Sequence, residues 1–267
     1  MSLPEPGYLT EYAPSAHLLR AHNPGIMTLD GTNTYFLTAP GSATAILVDP
    51  GPDEARHLAS IEAALQRLGK RLDAILLTHF HADHSEAAPI VAAKHGVGVL
   101  AVDPQQAMGD EQLAPGDELR KAGLTIDVIA TPGHSSDSVC VLVRDEGLLL
   151  TGDTVLGRGT TVVAHPDGTL AEYLESLERL QALPGVARIL PGHGPVIDDP
   201  ARAIAYYLEH RQQRLAQVRA AIAEGATDPQ RVVEIVYADV DKILWGAALH
   251  SVKAQLDYLR TVEGLEC

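Results

Sequence analysis

Covalent cross-links can contribute little to this chain. Only two cysteines occur among its 267 residues, Cys140 and Cys267. Cys140 sits in Ser-Val-Cys-Val-Leu-Val, the setting of a buried strand thiol, and Cys267 ends the sequence. Two cysteines so placed make no disulfide scaffold and suit a reducing compartment. Long apolar runs are missing as well. No stretch approaches the ~20 residues of a membrane helix, and Met-Ser-Leu-Pro-Glu-Pro-Gly lacks the basic-then-apolar start of a signal peptide. The expectation is a cytoplasmic protein with no membrane partner. Basic residues are also few, 20 Lys and Arg against 35 Asp and Glu, for a formal charge of −15. Residues 1–200 hold 12 against 26, a net of −14, and residues 201–267 hold 8 against 9, a net of −1. Neither part has the basic excess of a strong nucleic-acid binder, which disfavours double-stranded DNA as a partner. Bound divalent cations would offset part of the acidity. Internal repeats and low-complexity segments are absent.

Short apolar runs alternating with amphipathic stretches fill the first 200 residues. Ala45-Ile46-Leu47-Val48 and Ala74-Ile75-Leu76-Leu77 read as strands buried on both faces. Between them Leu58, Ile61, Leu65 and Leu68 recur at helical spacing, after the turn Asp49-Pro50-Gly51-Pro52. Further strands are predicted over 97–102, 124–130, 139–143, 148–150 and 188–190, and helices over 86–95 and 170–183. This interleaving predicts an α/β class. After Asp198-Asp199-Pro200 the pattern becomes wholly helical, over 201–224, 230–237 and 242–261. Residues 1–199 are therefore expected to form a catalytic domain and residues 200–267 a small helical one. Trp245, Leu249, Val252, Leu256 and Leu259 lie at helical spacing in the last segment, a face suited to packing or to homodimer formation.

The stretch that carries chemistry is His79-Phe80-His81-Ala82-Asp83-His84, directly after a buried strand. In an extended segment alternate side chains point the same way, so His79 and His81 can converge on one ion. A turn at Ala82 would then direct Asp83 and His84 to a second. Imidazole and carboxylate are the ligands expected for zinc, with iron or manganese also served. Three more candidates each follow an apolar run inside a glycine-containing turn: His134 in Pro-Gly-His-Ser, Asp153 in Thr-Gly-Asp-Thr, and His193 in Pro-Gly-His-Gly. Strand ends are where open α/β sheets place their sites.

The ordered set His-x-His-x-Asp-His, then His, Asp and His, resembles the metallo-β-lactamase superfamily over roughly residues 20–200. The resemblance implies a four-layer αβ/βα sandwich with the metals at one edge. It implies a first metal on His79, His81 and His134, a second on Asp83, His84 and His193, and Asp153 bridging both. Asp153 stands where the commonest true β-lactamases use Cys, which argues against antibiotic hydrolysis. His81 stands where the di-iron redox branch has Glu. Asn23–Tyr35, Gly152–Thr160, Leu190–Pro195, His210-Arg211 and Ser251–Leu256 together look like the β-lactamase-like protein 2 family. That family carries a C-terminal winged-helix-like domain, and its characterised animal member is a single-strand-specific endoribonuclease.

On this reading the protein is a binuclear zinc hydrolase in which paired ions share one water and acidify it toward neutrality, so that a bridging hydroxide attacks. Asp83 would orient that nucleophile and pass its proton to the leaving group. The resemblance implies single-stranded RNA as substrate. A small-molecule thioester, ester or lactone, as in glyoxalase II-like relatives, is the alternative. Arg158, Phe80 and His165 are the candidates for a basic or aromatic track beside the metals. Asn33 and Thr34 are expected to support the site from an early strand or to serve a turn, while His17, His22, His57, His95, His210 and His250 are expected to be ordinary surface or core histidines.

Overall fold

The computed structural model describes residues 4–265, and Cys267 lies outside the described residues. Two compact units form. The first takes the chain up to Ala130, then Asp137–Gly159 and Gly185–Pro200; the second takes Thr131–Ser136, Thr160–Pro184 and the chain from Ala201.

Two mixed sheets build the first unit. One runs β1 (Leu9–Ala13), β2 (Ala16–Arg20), β3 (Asn33–Leu37), β4 (Thr44–Val48), β5 (Arg71–Leu76) and β6 (Val99–Leu100) in spatial order. The other is ordered β11 (Arg188–Pro191), β10 (Leu148–Gly152), β9 (Val139–Val143), β8 (Leu124–Ala130) and β7 (Glu118–Lys121). Pairing is parallel for β4–β5, β5–β6 and β10–β11, and antiparallel elsewhere. Helix α1 (Ala55–Leu68) joins β4 to β5, and α2 (Ala82–Ser85) and α3 (Ala88–His95) follow β5.

The period-two geometry of a strand explains the layering. On β4, Ile46 and Val48 join Leu18, Leu37, Leu76, Val128, Val141, Leu150 and Leu190 in a core contributed by both sheets. Leu47, between them, joins Phe36, Ile75, Ile61, Leu65 and Val91 in a second core against α1 and α3. Each large aliphatic side chain buried in this way contributes about 1.5–3 kcal/mol. Cys140 is fully buried in β9, the strand setting expected for it.

The second unit holds α4 (Leu170–Gln181), α5 (Pro200–Ala223), α6 (Pro229–Val236), a 3₁₀ turn (Lys242–Leu244) and α7 (Trp245–Thr261). Thr169 caps α4 by accepting from the Glu172 amide, and Asp228 caps α6 by accepting from Arg231, with Pro229 at the first helical position. Trp245 stands at the start of α7 and donates its indole N–H to the carbonyls of Tyr237 and Val240, both at 3.2 Å. Among the described residues no strand follows α7. Among the same residues no helix is long and apolar enough to cross a membrane.

The interleaved α/β class expected from the sequence is the class observed. Several elements differ from expectation for identifiable reasons. Strands β1 and β2 were not expected, since they are five residues each and carry Glu11 and His17 among their apolar positions, whereas β3 holds Asn33 and Thr34, for which an early strand was one of the two expected settings. Strand β7 reads Glu-Leu-Arg-Lys, a charged edge strand with no apolar run to reveal it. The run at 97–102 pairs only through Val99 and Leu100. The helix expected over 86–95 is α3, which starts two residues later, and the expected turn at Ala82 is instead the first residue of the short α2 that precedes it.

Candidate metal centre

Each candidate ligand hangs from a strand end. His79 and His81 follow β5, Asp83 and His84 lie in α2, Asp153 follows β10, and His193 follows β11. Six of the seven belong to the first unit and His134 to the second.

In the first unit the side chains converge closely. His193 Nε2 lies 3.1 Å from Asp83 Oδ2, 3.4 Å from Asp153 Oδ1 and 3.2 Å from His84 Nε2. His84 Nε2 in turn lies 3.5 Å from Asp83 Oδ2 and 3.4 Å from Asp153 Oδ1. The His79 ring packs against both His81 and His84, with centroids 4.7 and 4.3 Å apart. Asp83, His84 and His193 form one group able to hold a metal ion, and His79, His84 and Asp153 form another.

Supporting contacts fix which ring nitrogen faces inward. Asp49, at the end of β4, accepts through Oδ1 from the Thr78 amide at 2.8 Å and through Oδ2 from the Thr78 hydroxyl at 2.7 Å. The same Oδ2 takes the Nδ1–H of His84 at 2.9 Å. The Thr78 proton being committed to Asp49, His79 Nδ1–H donates to Thr78 Oγ1 at 3.0 Å. His193 Nδ1 faces the Gly31 carbonyl at 3.3 Å. His79, His84 and His193 are thereby held with Nε2 lone pairs turned toward the carboxylates. A second ring nitrogen engaged by a carboxylate or carbonyl is what orients a metal-binding histidine. Asp49 escaped the sequence reading because Asp-Pro-Gly-Pro signals only a turn. Its partnership with Thr78 and His84 arises because β4 and β5 are parallel neighbours.

Asn33 and Thr34 support the site from β3. The Asn33 amide side chain donates to the carbonyls of Pro191 and Gly194, both at 2.9 Å, and its backbone N–H donates to Gly192 at 2.8 Å, so one residue clasps the loop bearing His193. At Gly192 a Cβ would lie 2.8 Å from both Asp153 Oδ1 and His84 Cε1, closer than a side chain permits, so the loop can approach the cluster only with glycine there. Thr34 donates to the Asp49 carbonyl at 2.7 Å and contacts His57 Nε2 at 3.0 Å. Thr32 adds a hydroxyl contact to Asp83 Oδ2 at 3.3 Å.

The electrostatics show a negative cluster that demands positive charge. Burial alone would lower the pKa of His193, but the Asp153 and Asp83 carboxylates reverse this and raise it to about 9. His84 is likewise raised against its burial by Asp83, Asp153 and Asp49. Burial would raise Asp83, yet His84 and His193 bring it down to about 2, and Asp153 is held low against its burial by His193 and His84. Protons and a divalent cation compete for the same inward lone pairs. Nitrogen and oxygen donors, oriented from behind and balanced by carboxylates, fit a zinc-type ion. Asp83 is the accessible member of the group, with 30% of its side chain exposed against 0% for His84, 1% for His193 and 12% for Asp153.

His57, expected to be ordinary, is fully buried behind the site, and burial lowers its pKa to about 4. The unfolded chain binds more protons than the folded one between that value and 6.5. Stability from a neutral His57 is therefore complete above pH 6.5 and lost as pH falls toward 4, a change of about 3 kcal/mol. Urea titrations of metal-stripped protein should show this slope, and His57→Gln should flatten it; an equal slope in both would remove His57 as the cause.

Of the track candidates, Arg158 is half-exposed and its guanidinium is engaged with the Asp30 carboxylate. Phe80 is half-buried, its ring centroid 4.8 Å from that of His81. His165, in the second unit, accepts at its carbonyl from His250 Nδ1 at 3.1 Å. In the same unit, His134 Nδ1 donates to the Val162 carbonyl at 2.7 Å and lies 3.3 Å from Thr161 Oγ1, so its Nε2 also keeps the lone pair.

Comparison with known proteins agrees with this geometry. Residues 27–193 match the family model described as the metallo-beta-lactamase superfamily, and residues 229–262 match the beta-lactamase associated winged helix domain. A beta-lactamase-like protein 2 homolog of Drosophila melanogaster is 35% identical over 255 residues, 89% of this chain and 85% of its own length. A protein of Aspergillus fumigatus named atrochrysone carboxyl ACP thioesterase is 31% identical over 255 residues, 88% of this chain and 78% of its own. The crystal structure of a beta-lactamase domain protein from Burkholderia ambifaria superposes with a TM-score of 0.86 at 25% identity, covering 99% of this chain and 91% of that one. From strand order to the spacing of its histidines and aspartates, the chain belongs to the metallo-β-lactamase superfamily.

Proposed function

We propose that this protein is a metal-dependent hydrolase of an acyl thioester or ester. On this reading it uses two zinc ions, with iron or manganese as the other metals its donors suit. His79, His81 and His134 would hold one ion, Asp83, His84 and His193 the other, and Asp153 would serve both. When bound, the metal pair supplies Lewis acidity and an acidified water. The remaining work falls to the chain. Asp83, ionised at neutral pH and the most exposed of the buried group, orients the attacking water, takes its proton and delivers it to the departing sulfur or oxygen. The Asp49–Thr78 pair keeps His84 in register, and Asn33 does the same for the His193 loop.

The observation that carries the acyl assignment is an exposed apolar hairpin tip whose base touches the centre. Gly31 and Thr32, which touch His193 and Asp83, form the base of a hairpin closed by the Gly25–Leu29 bridge, whose tip exposes Ile26 (47%) and Met27 (55%). Such a tip suits an apolar acyl group, and the guanidinium of Arg158 is engaged with Asp30. Similarity to a protein named as a thioesterase supports the same reading. The second reading, cleavage of single-stranded RNA, is favoured by the winged-helix match and by the resemblance to β-lactamase-like protein 2. Against it stands the net charge of −14 over residues 1–200 (12 basic, 26 acidic), since phosphate contacts draw affinity from cations. Zinc-loaded protein assayed beside a chelator-treated sample, on an acyl-glutathione thioester and on a single-stranded RNA, tests both. Thioester cleavage abolished by chelation is the expected result, and cleavage of RNA alone overturns it.

A further inference from the structure

We propose that Arg211, on α5, is a positioning residue for His134, acting through the Thr161–Val162 segment. This rests on the reading of His134 as a metal ligand. All the groups involved lie in the second unit.

Arg211 is an uneconomical residue for a helix core. It is 2% exposed, its Nε has no hydrogen-bond partner, and among the described residues no carboxylate pairs with it. A buried guanidinium lacking a counter-charge opposes folding, and an apolar side chain of similar volume would pack there at less cost. What the guanidinium does contribute is two contacts. Its Nη2 donates to the Thr161 carbonyl at 2.5 Å, and its Cζ lies 4.8 Å from the centroid of the Tyr173 ring.

Those two contacts reach the two supports of His134. The first support is Thr161–Val162, whose Val162 carbonyl takes the His134 Nδ1–H at 2.7 Å while Thr161 Oγ1 lies 3.3 Å from the same nitrogen. The second is Tyr173 on α4. Gly133, at φ +131°, packs so closely there that a Cβ would fall 2.4 Å from the Tyr173 N and Cα, and Ser176, one helical turn later, donates to the Pro132 carbonyl at 2.7 Å. Arg211 therefore joins the strap in front of His134 to the helix behind its loop. Fixing Val162 O fixes the proton on Nδ1, which leaves Nε2 as the ligand atom.

The test compares Arg211→Met, which keeps the unbranched stem, and Arg211→Lys, which keeps the charge but not the planar fork, with His134→Ala. Zinc titration of stripped protein gives affinity and stoichiometry, and nitrogen NMR of labelled histidine in the metal-free protein gives the His134 tautomer. With thermal unfolding still cooperative, Arg211→Met should weaken one of the two zinc sites about 10–100-fold and convert a single Nδ1–H tautomer into a mixture. Arg211→Lys should restore stability while recovering only part of the zinc affinity. It carries the test alone if the methionine variant does not fold. Wild-type zinc affinity and an unchanged tautomer in the folded variant would overturn the role of Arg211. Full zinc loading in His134→Ala would instead remove the ligand reading beneath it.

Discussion

Asp153→Ala should cost the protein bound metal and nearly all hydrolysis. Asp153 Oδ1 lies 3.4 Å from both His84 Nε2 and His193 Nε2, and a buried group comprising His79, His84 and Asp153 can hold one ion. Removing the carboxylate leaves His84 and His193 facing one another, Nε2 to Nε2 at 3.2 Å, with less negative charge to hold a cation between them. Elemental analysis should show at least one zinc lost per chain. The rate should fall by roughly 10³ or more, in the range seen when a main stabiliser of developing charge is removed. Because Asp153 is the counter-charge of His84 and His193 when no metal is bound, the metal-free variant should be less stable than metal-free wild type at neutral pH. Wild-type turnover in a variant shown to be metal-free would defeat the metal-centre reading as a whole.

The second large effect belongs to Asp83→Asn. Asparagine keeps the size and one oxygen of the carboxylate but cannot accept and return a proton. The expected loss is about 10²–10⁴ in kcat on a substrate with a basic leaving group, the range for removal of a general acid–base. On a nitrophenyl ester, whose leaving group departs without a proton, the loss should be much smaller. That split separates proton delivery from a ligand role. Equal losses on both substrates would mean that Asp83 does not deliver the leaving-group proton.

The site was legible in sequence where it depends on local order. His79, His81, Asp83 and His84 lie within six positions, and Asp153 and His193 each follow a short apolar run by a glycine turn, so their strand-end placement could be read directly. The buried strands of the core were legible for the same reason, through runs such as Ala45–Val48 and Leu148–Leu150, whereas their division into two sheets was implied only by the family resemblance. What was not legible is whatever depends on pairing across distance. Asp49 matters because β4 lies parallel to β5, which puts its carboxylate beside Thr78 and His84. Arg211 sits 50 residues from the carbonyl it holds, in a helix whose pattern shows only its apolar stripe. Strand β3 carries polar residues at buried positions, Asn33 and Thr34, and those residues tie down distant segments where an apolar strand would only fill space.

The clasp of Asn33 on the Pro191–Gly194 loop spans about 160 positions of chain. On a ribosome the early histidines would emerge, pair their strands and wait, because the donor group of Asp83, His84 and His193 does not exist until the eleventh strand has been synthesised and docked. An ion bound by that group would therefore be captured only after this late docking.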